Sequence, residues 1–183
     1  MVELRFHGRG GQGAVTSAEL LALTAIDQGK YAQAFPSFGP ERRGAPVVAF
    51  ARIDDKPIRM RVAVREPNYV IVLDPSILKI VNTSDGMPAQ GSVQVLNTSR
   101  TAAELRKDFG LKGKLVTVNA NRIAAEEIGR VITNTTMLGA LVRATGLVDV
   151  DGMIVQLKER FGRIAEGNIK AFRRAYEECV IEG

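Results

Sequence analysis

The sequence holds one cysteine, Cys179, one histidine, His7, and no tryptophan. One thiol excludes an internal disulfide and a cysteine-held iron–sulfur cluster within the chain. One imidazole likewise excludes a histidine-rich metal site. Aromatic residues are scarce at 5%, and no recognised nucleic-acid module is present, which argues against binding nucleic acid. No apolar run reaches the roughly 18 residues of a membrane span, and no signal-peptide pattern is found, so no membrane partner and a cytoplasmic location are expected. Phosphate-loop G-K-[ST] and G-x-S-x-G nucleophile signatures are missing too. His7 as a lone catalytic base is a weaker reading than a hydrogen-bonded histidine at a strand end.

What is present is ordinary for one soluble domain: 183 residues, 45% hydrophobic, 25% charged, with a net charge of +5 that suits acidic partners or phosphates. A single domain over residues 1–183 is expected, without internal repeats or linkers. Near the start, Val2, Leu4 and Phe6 alternate with Glu3, Arg5 and His7, the period-two pattern of a strand. Gly8, Arg9, Gly10, Gly11, Gln12 and Gly13 follow as a G-x-G-x-x-G loop. From Ala14 the spacing turns helical, with Ala18, Leu21 and Ala25 on one stripe. Such a loop lets backbone N–H groups approach an anion at a helix N-terminus; the alternative is a close helix–strand crossing that uses glycine only for packing. A nicotinamide-binding unit also wants an acid closing the next strand, but Tyr31–Phe35 runs into Pro36 and the first acid is Glu41, deep in a loop.

That loop, Phe35 to Pro46, has three prolines and two glycines in twelve residues. It reads either as a functional loop or as a solvated turn. Val47 to Ile53 and Ile58 to Arg65 then read as a β-hairpin across Asp54-Asp55-Lys56-Pro57. From Arg42 to Arg65 there are seven basic residues against two acids, either edge protection or a surface facing an anion or a partner. Tyr69–Leu73, Ser92–Asn97 and Lys114–Val118 read as strands. Helices are expected from Pro75 to about Val81, Thr101 to Asp108 and Asn121 to Gly129. Further helices are expected with Asn134 and Asp151 as caps, then one carrying Ala165, Ile169, Phe172, Tyr176 and Val180 on one face. The alternation predicts an α/β three-layer sandwich with a mostly parallel central sheet, a β-hairpin insertion and a helical C-terminal third.

GRGGQG at 8–13, SFGPERRGAPV at 37–47 and NTTMLGA at 134–140, in this order, resemble the γ subunit, or γ domain, of the 2-oxoacid:ferredoxin oxidoreductases, and the resemblance runs over essentially the whole chain. Within that family it points to the pyruvate enzyme, with the 2-oxoisovalerate (branched-chain) enzyme near it; an independent dinucleotide-binding module is the rival reading. The resemblance implies a complex that decarboxylates a 2-oxoacid on thiamine diphosphate with Mg2+, passes electrons through [4Fe-4S] clusters to ferredoxin, and transfers the acyl group to coenzyme A. Those cofactors would sit on α, β and ferredoxin-like δ subunits, with none bound by this chain alone. This chain would be a non-catalytic component for assembly or coenzyme A access. Its expected site comprises Gly8, Arg9, Gly10, Gly11, Gln12 and Gly13, with Ser37, Phe38, Gly39, Pro40, Glu41, Arg42, Arg43 and Gly44. The three arginines would hold partner carboxylates or coenzyme A phosphates, and both loops would lie at the carboxyl ends of the strands.

Overall fold

A computed structural model describes residues 1–37 and 44–183. The elements follow the periodicities closely: β1 (Val2–Arg9), α1 (Ala14–Asp27), β2 (Tyr31–Pro36), β3 (Pro46–Asp54) and β4 (Tyr69–Val72). They continue with β5 (Val93–Asn97), α2 (Ala102–Phe109), β6 (Lys114–Val118), α3 (Ala120–Ile128), α4 (Asn134–Thr145), α5 (Val150–Phe161), α6 (Ala165–Glu178) and β7 (Val180–Glu182). A 3-10 turn, Pro75–Lys79, replaces the longer helix expected there; Asp74 caps it by accepting the Ser76 N–H. No helix among the described residues is long and apolar enough to cross a membrane.

The seven strands form one mixed sheet in the order β2-β3-β1-β4-β5-β6-β7. β1, β4, β5 and β6 are parallel neighbours, while β3 and β7 run the other way. Side-chain alternation sends Leu4, Phe6, Ile71, Val95 and Val116 to one face, where α1 and the C-terminal helices bury them. Val70, Val72, Leu96 and Leu115 go to the other, against α2 and the 3-10 turn. This is the three-layer sandwich. In α4, Gly139 meets α6 so closely that a Cβ there would stand 2.0 Å from the Phe172 carbonyl oxygen.

Four details differ from the sequence reading. The antiparallel insertion is built from β2 and β3, not from β3 and 58–65: β3 has β1 on one edge and β2 on the other, so no edge remains for a third strand. Residues 57–68 instead cross the sheet as irregular chain, held by Gln33 Nε2 donating to the Ile58 carbonyl (2.9 Å) and Arg52 Nη2 to the Val62 carbonyl (2.7 Å). The cap of α5 is Asp149, which accepts the Gly152 N–H at 2.6 Å, and Asp151 lies in the first turn. Thr133, not Asn134, precedes α4. Val180 leaves the helix for β7, whose pairing with β6 repays the turn out of α6.

Candidate functional site at the carboxyl ends of β1, β2 and β4

β1 ends at Arg9, β2 at Pro36 and β4 at Val72, all on the same rim of the sheet. The glycine loop and the stem of the second loop meet there. The Gly10 N–H donates to the Ala45 carbonyl at 2.8 Å, the Gly44 N–H to the Gly10 carbonyl at 3.2 Å, and Arg9 Nη1 to the Gly44 carbonyl at 3.0 Å. Gly8 to Gly13, Ser37 and Gly44 are thereby brought onto one rim. Phe38, Gly39, Pro40, Glu41, Arg42 and Arg43, which the sequence reading also placed in the site, lie outside the described residues.

The turn after β4 forms a third wall. Arg9 Nε and Nη2 donate to Ser76 Oγ at 3.1 and 2.8 Å, and Nε lies 3.4 Å from Asp74 Oδ2. Gln12 is shared between loop and turn: its Oε1 accepts the Arg9 N–H at 2.7 Å and its Nε2 donates to Asp74 Oδ2 at 2.8 Å. Partial burial disfavours ionised Asp74, but hydrogen bonds from Ser76 and Gln12, aided by Arg9, outweigh it and hold the carboxyl below the usual carboxylate range. Much of the Arg9 guanidinium is therefore spent on tying three segments together, which fits a clamp better than a free anion receptor.

Behind the rim, Gly13, which immediately precedes α1, has a φ of +82°, and a Cβ there would stand 2.7 Å from Asn134 Nδ2. Glycine is required both for the left-handed backbone and for this approach. The packing reading of the fingerprint is thus realised at Gly13. It does not displace the anion reading, because α1 has neither a side-chain cap nor an acid in its first turn. The start of α4 also lacks a side-chain cap and sits against it, with Ser17 Oγ donating to the Asn134 carbonyl at 3.4 Å. Two helix starts without side-chain caps thus lie side by side behind the rim.

Asp74, Ser76 and Asn134 are the members sequence reasoning missed. Asp-Pro-Ser reads only as a strand end, and Asn134 reads as a cap although it is buried against Gly13. His7 is also unlike the expectation: its Nε2 is buried without a partner, and burial first, the Arg5 charge second, push its pKa down to about 3. It is neutral, next to the loop but on the sheet's other face from the α1 contact. The acid that would hold a ribose finds no place here, since β3 separates β1 from β2. The larger clefts among the described residues lie elsewhere, including one of about 620 Å3 between Leu78–Thr83 and Asp108–Leu111.

The sequence matches the pyruvate ferredoxin/flavodoxin oxidoreductase family over residues 3–178. It is 53% identical over 180 residues to the pyruvate synthase subunit PorC of Methanothermobacter thermautotrophicus, covering 97% of this chain and 96% of the relative. It is 50% identical over 183 residues to the pyruvate/ketoisovalerate oxidoreductases common subunit gamma of Thermococcus kodakarensis, covering 99% and 98%. Among solved structures, the pyruvate oxidoreductase subunit PORC of Thermotoga maritima superposes with a TM-score of 0.90 at 39% identity, covering 100% of this chain and 98% of that one.

Proposed function

Given that this chain belongs to the pyruvate ferredoxin/flavodoxin oxidoreductase family, we propose that it is the γ subunit of a multisubunit 2-oxoacid:ferredoxin oxidoreductase, acting on pyruvate, with 2-oxoisovalerate as the alternative substrate. The complex converts the 2-oxoacid and coenzyme A to acyl-CoA and carbon dioxide and reduces ferredoxin. This chain completes the complex rather than performing the chemistry. Its one cysteine cannot by itself supply the four thiolates of a [4Fe-4S] cluster. In this reading thiamine diphosphate, Mg2+ and the [4Fe-4S] clusters are held by the α, β and δ companions.

The observation that carries the local role is the meeting of the two loops at 2.8 Å between Gly10 and Ala45. This reading assigns Arg42 and Arg43, three and two residues before Ala45 in sequence, to the anion contacts of that rim. Anionic groups presented by a companion subunit or by coenzyme A are the ligands such a rim accepts. The test is the Arg42→Ala/Arg43→Ala double variant in the assembled enzyme. A rise of about tenfold or more in the KM for coenzyme A, or a comparable loss of assembly, is expected from removing two charge-assisted contacts. Unchanged KM and unchanged assembly would remove the proposal.

A further inference from the structure

Among the described residues, the outer edge of β2 pairs with no other strand. Register and hydrogen bonding fix which groups face outward. The Ser37 N–H donates to the Val48 carbonyl, continuing the ladder in which Phe35 opposes Phe50 and Gln33 opposes Arg52. Odd-numbered residues therefore exchange bonds with β3, and Ala32 and Ala34 turn their N–H and C=O groups away from it. Among the described residues nothing bonds these groups. Natural edge strands are usually short, charged or covered. β7, at the opposite edge, has three residues and ends in Glu182, whereas Tyr31–Pro36 (YAQAFP) carries no charge and only Pro36 guards its last position.

Beside this edge lies a cleft of about 330 Å3 lined by Gln33, Ala34, Phe35 and Arg61. Arg61 belongs to the segment whose alternation resembles a strand yet is irregular. Lys56, Arg59, Arg61 and Arg65 are exposed there, with no acid between 56 and 65, and none of the four forms an ion pair among the described residues. Met60 and Val62 are exposed between them.

We propose that the β2 edge and this basic arm together receive an extended, acidic segment of a companion subunit, which adds a strand to the sheet at Ala32 and Ala34 and places carboxylates against Arg59 and Arg61. The inference rests on the multisubunit reading above. Main-chain hydrogen bonds supply the affinity of such strand addition, and the flanking charges set partner and direction. A second copy of this chain is the wrong occupant, because two basic arms would face one another.

The experiment co-expresses the full chain with the companion subunits of the same oxidoreductase and measures its affinity for the subcomplex lacking it. Arg59→Glu/Arg61→Glu and, separately, Ala34→Pro are each expected to weaken binding tenfold or more. The proline removes an outward N–H and no bond to β3. Hydrogen exchange of the wild-type peptide spanning 31–36 is expected to slow on assembly, a readout that stands even if a variant does not fold. Wild-type affinity in both variants, or exchange at 31–36 unchanged by assembly, would overturn strand addition while leaving the subunit role intact. A wild-type chain that binds no companion would overturn both. Self-association of the isolated chain that protects 31–36 would overturn the acidic partner in favour of a second copy.

Discussion

His7 shows how a single side chain can make stability depend on pH. It is 3% exposed, its Nε2 lacks a partner, and burial together with Arg5 brings its pKa from 6.5 down to about 3. Below pH 6.5 the unfolded chain binds a proton that the folded chain refuses, so stability falls as pH drops from about 6.5 toward 3. Because His7 is the only histidine, the range between pH 7 and 5 isolates it from the carboxylates, whose titration begins lower. At about 1.4 kcal/mol per pH unit, a loss of roughly 2 kcal/mol is expected between pH 7 and 5. Denaturant unfolding at the two pH values checks this. His7→Leu should lose less than half as much over the same interval, and equal losses would mean that the imidazole is not the cause. Arg9 carries a different lesson. A surface arginine beside a glycine loop suggests a ligand contact, yet its bonds to Ser76, Gly44 and Asp74 make it first a strut of the rim.

Among the elements, α4 has the tightest constraints. Asn134 to Ala140 are buried along its whole first half, and Gly139 lets the α6 backbone come close enough that an added methyl would overlap the Phe172 carbonyl. Gly139→Ala gains helix propensity but forces the two helices apart. A net cost of about 1–3 kcal/mol is expected, read as a fall of several degrees in Tm. A variant as stable as wild type would show that the crossing is not fixed by this contact. The same helix shows what was legible in the sequence. A continuous apolar run marked the strand at Tyr69–Leu73, observed over Tyr69–Val72, and helix α2 was expected at Thr101–Asp108, where the Thr101–Glu104 capping box is a local signal. The glycine loop was legible as a G-x-G-x-x-G match between a strand pattern and a helix pattern. Alternation did not reveal that Ile58–Arg65 stays irregular, because it describes side chains and not which sheet edge is free. Three-residue β7 was hidden because Val180 continues the spacing of α6. The Asp74–Ser76 wall of the site joins residues more than 60 positions from Arg9, and no local pattern records such a contact.

At the scale of the molecule, the two apolar clusters lie on opposite faces of one sheet and share its central strands. Val70 and Val72 point to one cluster while Ile71 points to the other, and Leu96 and Val95 divide in the same way. Neither layer of helices can detach without exposing a face of β4, β5 and β6, so the layers lose their packing together. The chain is therefore expected to unfold as one cooperative unit, with calorimetric and van't Hoff enthalpies equal. For 183 residues the enthalpy should be on the order of 130 kcal/mol near 60 °C. Two resolved transitions, or a calorimetric enthalpy well above the van't Hoff value, would instead divide the chain into separately stable parts. A single transition also bears on the role in a complex. The strands β1, β2 and β4 beneath the rim are supported by the same core as the rest of the sheet, so a companion that docked there, as proposed, would not have to order the fold beneath it.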